Sequence, residues 1–267
     1  MTVHPTPGHD SSTEPSGPQR LSGEPFGARL RRAMDERGPL CVGIDPHAAL
    51  LAEWGLNDDV AGLERFSRTV VEATADRIAV LKPQSAFFER FGSRGVAVLE
   101  KTVEEARAAG ALVVMDAKRG DIGSTMAAYA ESFLRKDAPL FSDALTVSPY
   151  LGYGSLRPAV DLARESGAGL FVLALTSNPE GAEVQHAVRP GGRNVAATML
   201  AHLAAENAGR SPSAPSARSW GRRSAICPRT IWTSTGPSSR RASAPRGPPR
   251  QISPGSSGPR CAMSSRT

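Results

Sequence analysis

The sequence predicts an α/β fold of the (β/α)8 TIM-barrel family, with about five βα units legible and the C-terminal three missing or replaced. Three observations carry that prediction. Short apolar runs bounded by turn residues begin 26 to 38 residues apart, the length of a βα repeat. The runs are continuous rather than alternating, as in a parallel sheet covered on both faces. The segments between them place apolar residues at helical spacing.

The elements follow in order. Leu40–Ile44 is the first expected strand, and a helical pattern at Leu63, Phe66, Val70, Val71 and Thr74 comes after it. Ile78–Leu81 is the second strand. Val96, Leu99, Val103 and Ala106 then share a helix face, with Gly110 as the stop. Ala111–Met115 is the third strand, leading to a helix from Thr125 to Lys136. Ala144–Val147 and Leu170–Leu175 are the fourth and fifth, and a last helix at about 193–208 carries Val195, Met199, Leu200 and Leu203.

After that helix the pattern stops. Residues 211–267 contain ten Arg, fourteen Ser and nine Pro, but no Lys, Asp, Glu, Leu, Val, Phe or Tyr. Trp220, Trp232, Ile226 and Ile231 are scattered without period. So little to bury cannot offset the chain entropy, and none of the three remaining barrel strands is expected here. The division expected is therefore a disordered segment at 1–24, a partial barrel at 25–210, and a Ser/Arg/Pro-rich tail at 211–267. The tail reads as disordered coil or as the out-of-frame translation of a GC-rich gene. Setting its +10 against the chain's +6 leaves −4 on residues 1–210. The pI near 9.7 thus describes the tail and does not make the globular part a nucleic-acid binder.

Other classes are excluded on similar grounds. Cys41, Cys227 and Cys261 have no metal-ligand spacing, and Cys41, in an apolar run, reads as a buried reduced thiol. No stretch approaches 18 apolar residues, and no hydrophobic signal core opens the chain, so no membrane association and a cytoplasmic location are expected.

Chemistry concentrates at the predicted strand ends, where functional residues of parallel α/β proteins gather. The third strand runs into Asp116-Ala117-Lys118-Arg119-Gly120-Asp121. Strand alternation puts Asp116 and Lys118 on one face, with Asp121 within reach on the loop. Two carboxylates around one ammonium exceed what a structural ion pair needs, which suggests a site prepared for chemistry. The other strand ends add Asp45 and His47, Lys82 and Gln84, Thr146 and Ser148, and Thr176 and Ser177. Together they describe a pocket for an anionic, hydroxyl-rich small molecule. His47, His186 and His202 have no partner at catalytic spacing and read as structural or surface residues.

Five motifs, LCVGIDPH, VLKPQSAFFERFG, VVMDAKRGDIGST, ALTVSPYLG and LALTSNPEG, arrive in order on successive strands. The sequence resembles the orotidine 5′-phosphate decarboxylase family over residues 26–208, in the bacterial subgroup with a K-P-Q-x-A-F-F motif. The resemblance implies that Lys118 donates the proton to pyrimidine C6 and that Asp116 lies against the substrate carboxylate. It implies that Asp121 and Thr125 reach the neighbouring subunit's site in a homodimer. Asp45 and Lys82 would bind ribose hydroxyls and extend the alternating charge network, and Ser177 would read the pyrimidine edge. It further implies orotidine 5′-phosphate as substrate, with no metal and no cofactor. Family members hold the substrate phosphate with elements after the seventh and eighth strands, and nothing after Arg210 matches those elements. Activity of the chain as written is therefore in question. Two rivals stay open: a metal-dependent sugar-phosphate lyase of the same barrel type, and a non-catalytic nucleic-acid-binding protein with a basic tail.

Overall fold

A computed structural model describes residues 24–208 and the strand Ile231–Thr235. The expectations for residues 1–23 and for the rest of the tail lie outside the described residues. Six strands, β1 (Cys41–Ile44), β2 (Val80–Pro83), β3 (Leu112–Arg119), β4 (Ala144–Val147), β5 (Gly169–Leu175) and β6 (Ile231–Thr235), form one sheet in chain order. Every neighbouring pair is parallel. The helices are α1 (Phe26–Arg37), α2 (Ala48–Glu53), α3 (Val60–Thr74), α4 (Ser85–Glu89), α5 (Gly92–Ala108), α6 (Gly123–Leu134), α7 (Arg157–Ser166), α8 (Gly181–Gln185) and α9 (Val195–Asn207). A parallel sheet in unbroken chain order is the wall of a (β/α) barrel, as expected.

The apolar strands β2 to β5 are largely buried on both faces, whereas β1 buries only Ile44. Val113 and Met115 of β3 enter the main core with Leu63, Phe66 and Val71 of α3 and Leu99 and Val103 of α5. Val114, on the opposite face, joins a second cluster with Ala79, Val80 and Ala144, which α1 covers through Phe26, Leu30 and Ala33. Asp143, just before β4, fastens this layer: it accepts from the Val113 N–H at 2.9 Å and pairs with Arg29 of α1 and, at 3.7 Å, Arg107 of α5. A carboxylate this deeply buried is tolerable only with such partners. The capping chemistry is local: Asp59 accepts from the Gly62 N–H at 2.8 Å to start α3, and Asn194 from the Ala197 N–H at 2.7 Å to start α9.

Two expectations are corrected. The tail does supply a strand: β6 pairs along β5 from Leu170↔Ile231 to Leu175↔Thr235. Four of the five residues of Ile-Trp-Thr-Ser-Thr are β-branched or aromatic, and the edge of β5 is a template for such a run. Composition averaged over the whole tail conceals it. Cys41, expected to be buried, is exposed. It stands on β1, an edge strand among the described residues, where no further strand covers it.

Candidate active site

The site is built by an irregularity in β3. Met115 pairs with Leu145 and Arg119 with Val147, so Asp116, Ala117 and Lys118 together face the single residue Thr146. A bulge of this kind bends the strand and re-aims its side chains. Lys118 takes the strain, with φ at 47°, and no other non-glycine described residue has a positive φ. Asp116 and Lys118 do meet, as expected, but through the bulge rather than through regular alternation.

The charge arrangement differs from the one that the D-x-K-x-x-D spacing suggests, while Lys82 joins the network as the resemblance implies. Asp116 is 7% exposed. Its Oδ2 accepts from Lys82 Nζ at 2.9 Å, and its Oδ1 accepts from Lys118 Nζ at 2.5 Å and from Thr146 Oγ1 at 2.9 Å. One carboxylate thus lies between two ammonium groups, in place of two carboxylates around one lysine. Asp121 is not in the row: its Oδ1 accepts from the adjacent Ile122 N–H at 2.8 Å, and no contact with Lys118 is present among the described residues. The backbone of Gly120 lies against the Ser148 carbonyl, and Asp121 follows beyond the end of β3. Burial penalises the Asp116 charge, but the hydrogen bonds from Lys118 and then Lys82 outweigh it, holding the carboxyl below the usual aspartate range.

Lys82, Asp116, Lys118 and Thr146 line a cavity of about 440 Å³ whose other walls include Leu30, Val80, Val114, Phe171 and Leu173. That volume accommodates a small-molecule ligand. Two cations and one buried anion leave the polar side of the cavity net positive, suited to an anionic ligand.

The remaining expected residues stand at the same end of the sheet but outside this row. Asp45 follows β1, half-buried, and its carboxylate folds over Gly43, where any side chain would collide with it. Ser177 follows β5 and Thr125 lies in the first turn of α6, both exposed. Arg119 leaves the cavity, pairing with Glu89 and packing 5.4 and 5.7 Å from the Tyr129 and Phe133 rings. The histidines serve packing: His47 lies against Phe87 at 4.2 Å and His202 stacks on Tyr153 at 4.9 Å. Thr146 was expected only as one of the strand-end polar groups of the pocket, with no role beside Asp116. Its signal was faint, a hydroxyl within the apolar run Ala144–Val147, because threonine is also an ordinary strand residue.

Comparison with known proteins identifies the family. The family described as orotidine 5′-phosphate decarboxylase / HUMPS matches residues 38–226, running past residue 208, where the motif resemblance ends. An orotidine 5′-phosphate decarboxylase of Streptomyces coelicolor is 93% identical over 189 residues, which is 71% of this chain and 68% of the relative. One from Salinispora arenicola is 66% identical over the same length. A solved structure from Streptomyces avermitilis, assigned as an orotidine 5′-phosphate decarboxylase, superposes with a TM-score of 0.74 at 78% identity, covering 82% of this chain and 71% of that one. This chain belongs to the orotidine 5′-phosphate decarboxylase / HUMPS family.

Proposed function

We propose that the Lys82–Asp116–Lys118 row decarboxylates orotidine 5′-phosphate, a carboxy-lyase reaction giving uridine monophosphate and carbon dioxide in pyrimidine biosynthesis. The observation that carries this reading is the buried, ionised Asp116 held beside Lys118 at the wall of a ligand-sized cavity. The bond from C6 to the carboxylate breaks, its electrons stay on C6, and the Lys118 ammonium supplies the proton. Asp116 opposes the substrate carboxylate, which raises the ground state, while Lys118 stabilises the developing carbanion. Lys82 and Asp45 bind ribose hydroxyls, and Ser177 reads the pyrimidine edge. None of these steps calls for a metal or cofactor.

The reading includes a homodimer in which Asp121 and Thr125 complete the partner's site. In support, both lie outside their own chain's Asp116 contacts, and Ile122, Tyr150 and Leu151 expose apolar surface on the loops after β3 and β4. Single exposed apolar residues are ordinary, but three at one end of the sheet favour an interface. A cytoplasmic location goes with this reading and with the free thiol of Cys41. No described helix is long and apolar enough to cross a membrane. The decarboxylase names of the Streptomyces coelicolor and Salinispora arenicola relatives favour this reaction over a sugar-phosphate lyase.

The test uses a completed chain, residues 1–208 followed by the C-terminal segment of the Streptomyces coelicolor relative. In it, Lys118→Ala should reduce turnover of orotidine 5′-phosphate by about a thousandfold or more, since the proton and the charge are lost together. Binding of uridine monophosphate should persist. A variant keeping more than about one per cent of the activity would remove Lys118 from the proton-donor role.

A further inference from the structure

We propose that Thr146 is the positioning residue of this site, a single buried hydroxyl that fixes both the backbone of Lys118 and the carboxylate of Asp116. Its function rests on the decarboxylase reading, whereas its geometry does not. Three residues of β3 face Thr146 alone, so the regular ladder cannot satisfy every backbone group between Met115 and Arg119. The Lys118 N–H donates instead to Thr146 Oγ1 at 2.9 Å. The same oxygen donates to Asp116 Oδ1 at 2.9 Å, and Lys118 Nζ reaches that Oδ1 at 2.5 Å. These contacts close a ring from the Lys118 backbone through the threonine hydroxyl and the carboxylate to the Lys118 amine.

The ring uses both capacities of a hydroxyl, giving its one hydrogen and receiving on one of its two lone pairs. Thr146 is 6% exposed, so water is a poor substitute for either contact. The left-handed backbone of Lys118 is held only where its surroundings over-determine it, and the Thr146 acceptor is one such constraint. The direction in which the Lys118 side chain leaves the strand is thereby tied to the position of the Asp116 carboxylate. Valine would fill nearly the same space, strand the Lys118 N–H and remove one donor from Asp116. Serine would retain both contacts.

The test compares Thr146→Val and Thr146→Ser with the parent in the 267-residue chain, by amide hydrogen exchange and carbon-13 titration of the Asp116 carboxyl, assigned with Asp116→Asn. Thr146→Val should speed exchange of the Lys118 amide about tenfold or more while Leu145 and Val147 stay within about twofold. The Asp116 midpoint should move up, because a hydrogen bond to the charged form is gone. Thr146→Ser should restore both. In the completed chain, kcat should fall with Thr146→Val, KM should change little, and serine should recover the loss. Should the valine variant lose its fold, Thr146→Cys, which keeps the size but not a strong hydroxyl, takes its place. Unchanged Lys118 exchange with an unchanged Asp116 midpoint would overturn the proposal, as would acceleration spread evenly along β3 and β4 or failure of serine to restore. A wrong decarboxylase reading would instead show as no turnover in the parent completed chain, leaving the exchange and titration results intact.

Discussion

A carboxylate shared by two lysines and a hydroxyl has a distinct dependence on pH. Asp116 has a lower pKa folded than the value near 4 of an unfolded aspartate. Its ionised form therefore contributes stability that is fully present above about pH 4 and is lost as pH falls through the depressed folded value. At neutral pH the group is charged, the state that repulsion of a substrate carboxylate needs. We expect kcat of the completed chain to show no loss attributable to Asp116 between about pH 7 and pH 5. Asp116→Asn removes the charge but nearly keeps the shape, and should abolish most turnover across that range. A parent profile that falls with a midpoint near pH 6, and loses that midpoint in Asp116→Asn, would show that Asp116 is not held ionised. The lysine and aspartate were legible in D-x-K-x-x-D, but their partners were only partly so. Sequence spacing suggested a second carboxylate at Lys118, while the fold brings Lys82 across from β2.

At the scale of the element, β3 and the loop after it explain why the spacing misled. A strand expected to end at Met115 continues to Arg119 by absorbing a bulge, and periodicity has no signature for a bulge. Gly120 then allows close approach to the Ser148 carbonyl, and Asp121 stands half-buried on the short loop that leads into α6. Strands β1 to β5 and helices α3, α5, α6 and α9 were readable because each buries a continuous or periodic apolar set. Helix α1 went unread, since its covering stripe is only Phe26, Leu30 and Ala33 among many charged neighbours. If the loop serves a partner's site, lesions on Lys118 and Asp121 belong to different composite sites. Mixing Asp121→Ala with Lys118→Ala completed chains should then restore part of the activity, because one hybrid site contains neither lesion. Absence of rescue, with subunit exchange verified, would rule out shared sites.

For the whole molecule, the described sheet has six strands and the family's barrel type has eight. Among the described residues the sheet has two edges, β1 and β6, and Leu40 and Cys41 are exposed at the first. The Streptomyces coelicolor relative extends beyond the matched region, which spans 68% of its length. Remote binding groups can supply energy for events at the reacting carbon, and a phosphate grip is such a group. We propose that residues 24–208 hold the chemical apparatus, and that turnover depends on barrel elements beyond the six described strands. The most direct measurement sets the 267-residue chain beside the completed chain in one assay of orotidine 5′-phosphate decarboxylation. Turnover by the completed chain, with the 267-residue chain at background, is the predicted result. Equal turnover by both would show that the tail builds the missing part of the barrel, and would contradict the account.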